Sequence, residues 1–332
     1  MADQGFAALV LVVGRDVADG GVQPGRRRPT EAAHHLGLRY VASVGRSSIQ
    51  TGGPALRALR MVMSRTGFLR YVPTITAAME RADPALPIAL RRLPAAPPLA
   101  LVSVYRHRNR AIVAGLLASL PPKSPVALWA LDEVADELRD RTCGCGPGSR
   151  FALLNRCLQA LDVREDAWLV VSADDVELSR GGLQSAARIA RAAGLDLVQP
   201  AHAWSSNWNW RYTRRRWLGI ARRGRFVEIG PLFLLSPRGR RLVLPLPEDA
   251  GMGWGIEAQW ASLESRGLRL GIVDAVHMRH LIPNAMYYDR SAEYERELTL
   301  RQRFGVAELT DLQRDAARWT VLNHPIRGRG DC

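Results

Sequence analysis

From residue 98 onward, short apolar runs alternate with stretches whose apolar positions recur at helical spacing. "LALVSVY" is an apolar run with a single serine and reads as a buried strand, and "RNRAIVAGLLASLP" follows it as a helix. The pattern then repeats: "PVALWALDE" is a strand, "SRFALLNRCLQAL" a helix, "AWLVVSADDVEL" a strand, "GGLQSAARIARAAG" a helix and "LDLVQPAHAW" a strand. Strands separated by helices of this length predict an α/β protein with a mainly parallel sheet covered on both faces. Further on, "SPRGRRLVLPL" is helix-like, another helix begins near Ile256, and the strand "LRLGIVDAV" runs toward His277 and His280. The segments "SAEYERELTLRQRFG" and "AELTDLQRDAARWTVLNHP" both have helical spacing with mixed charge. Residues 1–95 differ, with mostly helical spacing broken by glycine and proline and a proline-rich connector, "ADPALPIALRRLPAAPP", at the end. The expected organisation is therefore an N-terminal extension over 1–95, an α/β domain over 96–290 and a helical tail over 291–332.

Composition narrows this picture. A hydrophobic fraction of 47% over 332 residues is enough for a sizeable core. No apolar run approaches the roughly 20 residues that cross a bilayer, and "FAALVLVV" follows Asp3 where an export signal would carry basic residues. Cys143, Cys145 and Cys157 lack a second pair at zinc-site spacing, which predicts free thiols and a cytoplasmic location. His34 and His35 are adjacent, so on a helix they point about 100° apart and cannot share a metal.

The formal charge is +14, and all but Lys123 of the 46 basic residues are arginine. Residues 101–200 are balanced at 12 basic and 12 acidic, whereas the stretch from Arg211 to Arg225 holds seven arginines and no acid, interleaved with Tyr212 and Trp217 and preceded by Trp208 and Trp210. Aromatics among arginines suit a groove for nucleic acid, the diphosphate of one small ligand, or a solvated loop with its tryptophans tucked under. Exposed arginines also leave room for loose attachment to anionic lipid at the membrane periphery.

In parallel sheets ligands sit beyond the carboxyl ends of the strands, so the residues just after each strand are the candidate chemistry. After "LALVSVY" come Arg106 to Arg110, which would place cations and a helix start beside a phosphate; after "PVALWAL" come Asp132 and Glu133; after "AWLVVSA" come Asp174 and Asp175. Carboxylates gathered at one place repel unless a cation lies among them, and Mg²⁺ or Mn²⁺ with a diphosphate supplies one. Asp174 and Asp175 are equally able to end a strand and solvate a turn. Downstream, three glycines in five residues surround Trp254, in "GMGWGIE", and allow close backbone approach to a bulky ligand.

In their order, "FVEIGPLF", "GWGIE" and "GIVDAVHMRH" resemble the signature blocks of a GT-A-like family abundant in plants, and more broadly the glycosyltransferases of the GT-A fold. The resemblance covers about residues 98–285. It implies that Asp175 and His280 hold Mn²⁺ or Mg²⁺, that a nucleotide-diphosphate sugar is bound with help from Arg106, Arg110, Asp132 and Asp174, and that Trp254, Gly255 and Glu257 meet the acceptor. Glu257 is its first candidate for general base and Asp249 the second. The family places a carboxylate where this chain has Ala173, which removes one expected contact. Transfer of a sugar to an acceptor hydroxyl is the reaction implied. A sugar-1-phosphate nucleotidyltransferase, a GT-A relic without activity and a nucleic-acid-binding protein using 211–225 stay as alternatives.

Overall fold

The computed structural model describes residues 72–91, 93–283 and 289–323. The expectations for the first seventy residues, His34 and His35 among them, lie outside the described residues. The chain divides into two compact units, Met1–Ile75 and Thr76–Cys332, and every strand described here belongs to the second.

In chain order the described elements are α1 (Val72–Ala82), α2 (Ala85–Leu90), β1 (Leu99–Tyr105), α3 (Arg110–Leu117), β2 (Val126–Ala130), β3 (Thr142–Cys145), α4 (Arg150–Gln159) and β4 (Trp168–Ser172). There follow β5 (Val176–Arg180), α5 (Leu183–Ala192), β6 (Leu197–His202), β7 (Gly219–Gly224), β8 (Leu232–Leu235), α6 (Pro237–Val243), α7 (Ile256–Ser262), β9 (Leu270–His280), α8 (Arg290–Arg303) and β10 (Asp315–Thr320). The strands form one sheet in the order β10-β7-β9-β6-β8-β4-β1-β2-β3, with β5 paired to β9. Strands β1, β2, β3, β4, β6, β9 and β10 point one way, and β5, β7 and β8 the other. The mixed, mainly parallel sheet flanked by helices that the hydrophobic pattern predicts is the architecture observed.

Alternation along β1 explains the layering. Leu99, Leu101 and Tyr105 pack on one face with α3 and α5, through Val113, Leu116, Leu183 and Ile189. Ala100, Val102 and Val104 pack on the other with α4, α6 and α7, through Phe151, Leu154, Val243, Ile256 and Trp260. A strand buried on both faces must be apolar at consecutive positions, which is why "LALVSVY" lacks a polar alternation. Its one hydroxyl, Ser103, is fully buried and donates to the Ser172 carbonyl at 2.9 Å, so the polar group costs little.

Register brings the strand ends together. Ser103 of β1 lies opposite Ser172 of β4, and Tyr105 opposite Ala130 of β2, so the turns after β1, β2 and β4 leave the sheet at one level. Antiparallel β8 enters there, with the Ala173 amide donating to the Pro231 carbonyl at 2.7 Å.

Three segments depart from the sequence expectation. "AWLVVSADDVEL" is two strands, because Ala173–Asp175 form a turn that carries the chain from β4 to an antiparallel partner on β9. The second half of the arginine-rich stretch is buried strand β7, which pairs with β9 and β10. "AELTDLQRDAARWTVLNHP" forms one tight turn at Leu309–Leu312 and then the edge strand β10, not a helix. The half-exposed alternation "DAARWT" suits an edge strand, and pairing with β7 outweighs the local helical spacing.

Candidate active site

Beyond the ends of β1 and β4 lies a cavity of about 850 Å³. Its lining includes Arg106, Asp132, Ala173, Asp174, Asp175, Glu228, Trp254, Gly255, Glu257 and His280. Most of the residues singled out in the sequence thus converge on one space, although they come from segments far apart in the chain. Arg110 and Asp249 do not line it. Arg110 turns to Glu137 at 3.2 Å, and Asp249 is exposed.

The two adjacent aspartates do different work. Asp174 is buried, and its Oδ2 accepts from the Arg106 amide and from Asn109 Nδ2, both at 2.9 Å, with the Arg106 guanidinium 3.7 Å away. It therefore holds the turn after β1. Burial and the neighbouring Asp175 outweigh those hydrogen bonds and leave its carboxyl above the ordinary range. Asp132 likewise accepts from the amides of His107 and Glu133, each at 2.8 Å. Asp175 instead faces His280, its Oδ2 3.1 Å from Nε2. The Asp175 carbonyl accepts from the Leu281 amide at 2.9 Å, which fixes the β5–β9 pairing that sets the two side chains opposite each other.

Carboxylate oxygen and imidazole nitrogen converging on the same cavity fit a divalent cation with two protein ligands, the remaining positions being open to water or phosphate oxygens. Among the described residues no third His, Cys, Asp or Glu joins them to complete a protein-only site. Ala173, on the cavity wall, stands where the resemblance implies another carboxylate.

His280 is held by a polar chain that the sequence reading missed. Its amide donates to Ser206 Oγ at 2.9 Å; that hydroxyl is 2.8 Å from His202 Nδ1, and His202 Nε2 is 3.1 Å from Glu228 Oε2. Thr213 Oγ1 and Asn209 Nδ2 also donate to Glu228, and Asn207 Nδ2 donates to the His280 carbonyl at 2.8 Å. All of His202, Ser206 and Glu228 are buried, so the chain orders the cavity wall and does not itself meet bulk solvent. Glu228 was visible in "FVEIGPLF", but nothing local pointed to His202, whose partners lie across the sheet.

Glu257 follows the glycine-rich turn in the first turn of α7. Here the glycines serve the protein's own packing. A Cβ on Gly253 would lie 2.7 Å from Ile229 and Phe151, and one on Gly255 would lie 2.8 Å from the Glu297 Cα of α8; both glycines have positive φ. Glu257 is 3% exposed; its Oε1 accepts from the Ile229 amide at 3.0 Å and its Oε2 has no hydrogen-bond partner among the described residues. Burial pushes its carboxyl up to about 8, and the nearby Glu228 and Glu297 push it the same way. A buried acid flanked by other carboxylates and able to ionise near neutrality is a known way to prepare a proton acceptor.

The tail belongs to this site as well. Tyr294, Glu297, Arg301, Glu308 and Leu309 line the cavity, which places α8 and the following turn over it. Arg301 joins Glu297 at 3.5 Å and Glu308 at 2.7 Å.

The arginine-rich stretch is partly buried: Arg215 and Arg222 lie inside, whereas Arg211, Arg223 and Arg225 are exposed. Arg215 is buried, ion-paired with Asp83 and held 4.4 Å from the Trp204 ring centroid and 5.3 Å from that of Trp217. Arg222 lies 3.3 Å from Asp274, Arg216 pairs with Asp315, and Arg225 meets Glu264 at 2.7 Å. His277 is buried beside Arg215 and Arg180; burial and those cations press its imidazole down to about 3, so it is neutral.

No family model matches the chain, and no curated protein matches it. Among solved structures it is similar to GalNAc-T7, in a crystal structure with UDP, GalNAc and Mn²⁺, at 9% identity and a TM-score of 0.45, covering 62% of this chain and 48% of that one. It is also similar to S. aureus TarS 1-349 at 11% identity and a TM-score of 0.35, covering 63% and 72%. The chain spans about half the length of the first of these. At that level the likeness bears on neither activity nor ligand.

Proposed function

We propose that this chain is a glycosyltransferase, moving a sugar from a nucleotide-diphosphate donor to an acceptor hydroxyl with a divalent cation, Mn²⁺ or Mg²⁺. The observation that carries the reading is the placement, in one cavity, of the Asp175–His280 pair and of the buried Glu257, whose Oε2 has no hydrogen-bond partner among the described residues. Asp175 and His280 would hold the cation, which when bound stabilises the charge of a departing diphosphate. The turn after β1, kept in place by Asp174, presents Arg106 to the donor, while Asp132 fixes the neighbouring backbone. Trp254 is part of the cavity wall, and an indole there can pack against a sugar ring.

On the acceptor side, Glu257 Oε2 takes the proton of the acceptor hydroxyl as its oxygen bonds to the anomeric carbon. The anomeric carbon–oxygen bond to the diphosphate breaks, and the nucleoside diphosphate leaves with that electron pair. A carboxyl that ionises near 8 is well matched to this role, since a base too acidic would hold the proton weakly. Glu257 stays the first candidate for the base and Asp249 is dropped, because Asp249 is exposed and off the cavity. Arg215 and Arg222 are buried against Asp83 and Asp274, and Arg216 and Arg225 meet Asp315 and Glu264, which argues against the nucleic-acid alternative.

The test is thermal melting of the protein with UDP-, GDP- and dTDP-sugars, each with and without Mn²⁺. Stabilisation by one donor that requires Mn²⁺ and disappears in Asp175→Ala is expected. A melting temperature that no nucleotide moves in either condition would overturn the reading.

A further inference from the structure

The chain carries a formal charge of +14, yet among the described residues its large cavity is lined by seven carboxylates and three arginines. Those arginines are largely spoken for. Arg106 stands by Asp174, Arg301 is shared by Glu297 and Glu308, and Arg150 reaches the Met252 carbonyl at 3.5 Å. Glu228 is satisfied by His202, Asn209 and Thr213. That leaves Glu257, 97% buried by its 3% exposure, with an oxygen that has no partner and with Glu228 and Glu297 as the charged neighbours that act on it most.

We propose that the acceptor is an alcohol that also carries an ammonium group, and that this ammonium docks at Glu257 among the carboxylates Glu228 and Glu297. This deepens the transferase reading and rests on it. A buried carboxylate without a cation is costly to ionise, and an incoming cation removes that cost. A single positive charge fits better than a divalent ion, because Glu228 already accepts from His202, Asn209 and Thr213, Arg301 stands by Glu297, and among the described residues only Oε2 of Glu257 is open. The lone pairs of that oxygen can take one ammonium N–H beside the acceptor hydroxyl. Trp254 and Tyr294 on the same wall can cover the carbon skeleton and add cation–π attraction. The ammonium also ties catalysis to recognition: its charge favours ionised Glu257, so the base becomes competent when the right acceptor arrives.

The experiment is fluorescence and calorimetric titration of the full chain in EDTA at pH 7 with three methyl glycosides: glucosaminide, glucoside and N-acetylglucosaminide. The amine is expected to bind about tenfold or more tightly than either neutral analogue. That preference should vanish in Glu257→Gln, weaken in Glu297→Gln and persist in Glu137→Gln, whose residue lies away from the cavity. Equal binding of all three, no measurable binding of the amine, or an unchanged preference in folded Glu257→Gln would overturn the proposal. So would a calorimetric Mn²⁺ site lost in Glu257→Gln, which would make Glu257 a metal ligand. The outcomes also separate the two readings. Donor stabilisation without amine preference defeats this inference alone, whereas amine preference without any donor effect defeats the transferase reading.

Discussion

Two buried polar regions of the sheet contrast sharply. Around β7 and β9, every buried arginine has a carboxylate: Arg215 with Asp83, Arg222 with Asp274. Around the cavity, Glu257 is as deeply buried but meets no cation among the described residues, and with its carboxyl pushed up to about 8 it is mostly protonated at pH 7. Desolvating charge is costly in both regions: the first offsets it by pairing, the second avoids it by keeping Glu257 protonated. The first is therefore read as architecture and the second as a place where something from outside completes the balance.

The largest expected effect breaks the cavity side. Glu257→Gln keeps the shape and removes the proton acceptor, so transfer should fall about 10²–10⁴-fold in single-turnover rate while the fold keeps or gains stability. A rate within threefold of the unaltered protein would remove Glu257 from the chemistry. The paired side should answer in the opposite currency. Arg215→Ala strands Asp83 and empties the space between two tryptophans, so denaturant unfolding should show a loss of about 3–5 kcal/mol. If Arg215→Ala were nearly neutral in stability, the pairing would not be structural.

Ser206→Ala tests the join between the regions. It unties His280 from His202, with an expected loss of about 1–3 kcal/mol in stability. The Mn²⁺ concentration needed for donor stabilisation should rise as well, because His280 is no longer fixed opposite Asp175. An unchanged Mn²⁺ requirement would confine Ser206 to packing. Smallest of all, Trp217→Ala removes the more exposed ring beside Arg215 and should cost about 1 kcal/mol, read by the same denaturant curves. A loss several times larger would mean that this ring, not the Asp83 pair, holds the segment.

The contrast also explains what the sequence could reveal. The sheet was legible because β1, β4 and β6 are short runs buried on both faces, with helices of matching length between them. Asp175, His280 and Glu257 were legible as residues at strand ends and in the glycine-rich turn. Asp174 lines the same cavity, but the bonds its carboxylate accepts from the Arg106 amide and Asn109 could not be read locally, because register between β1 and β4 sets them. His202, Glu297 and Arg301 were hidden for the same reason: each gains meaning only from partners brought by the tertiary fold. The strand β10 was missed because "DAARWT" pairs with a strand about ninety residues earlier, which local spacing cannot register.

The central claim is that Glu257 is buried without a cation, and linkage to pH tests it directly. Its folded-state carboxyl ionises near 8, above the ordinary 4.5, so the folded protein keeps a proton that the unfolded chain releases. The stability this group contributes is present below about 4.5 and declines as pH rises, levelling once the folded carboxyl ionises near 8, with a slope of at most about 1.4 kcal/mol per pH unit. Unfolding free energies of the unaltered protein and Glu257→Gln, measured side by side from pH 5 to 9, should diverge, with the variant gaining relative stability up to about pH 8 and no further. A difference that stays flat across that range would contradict the account.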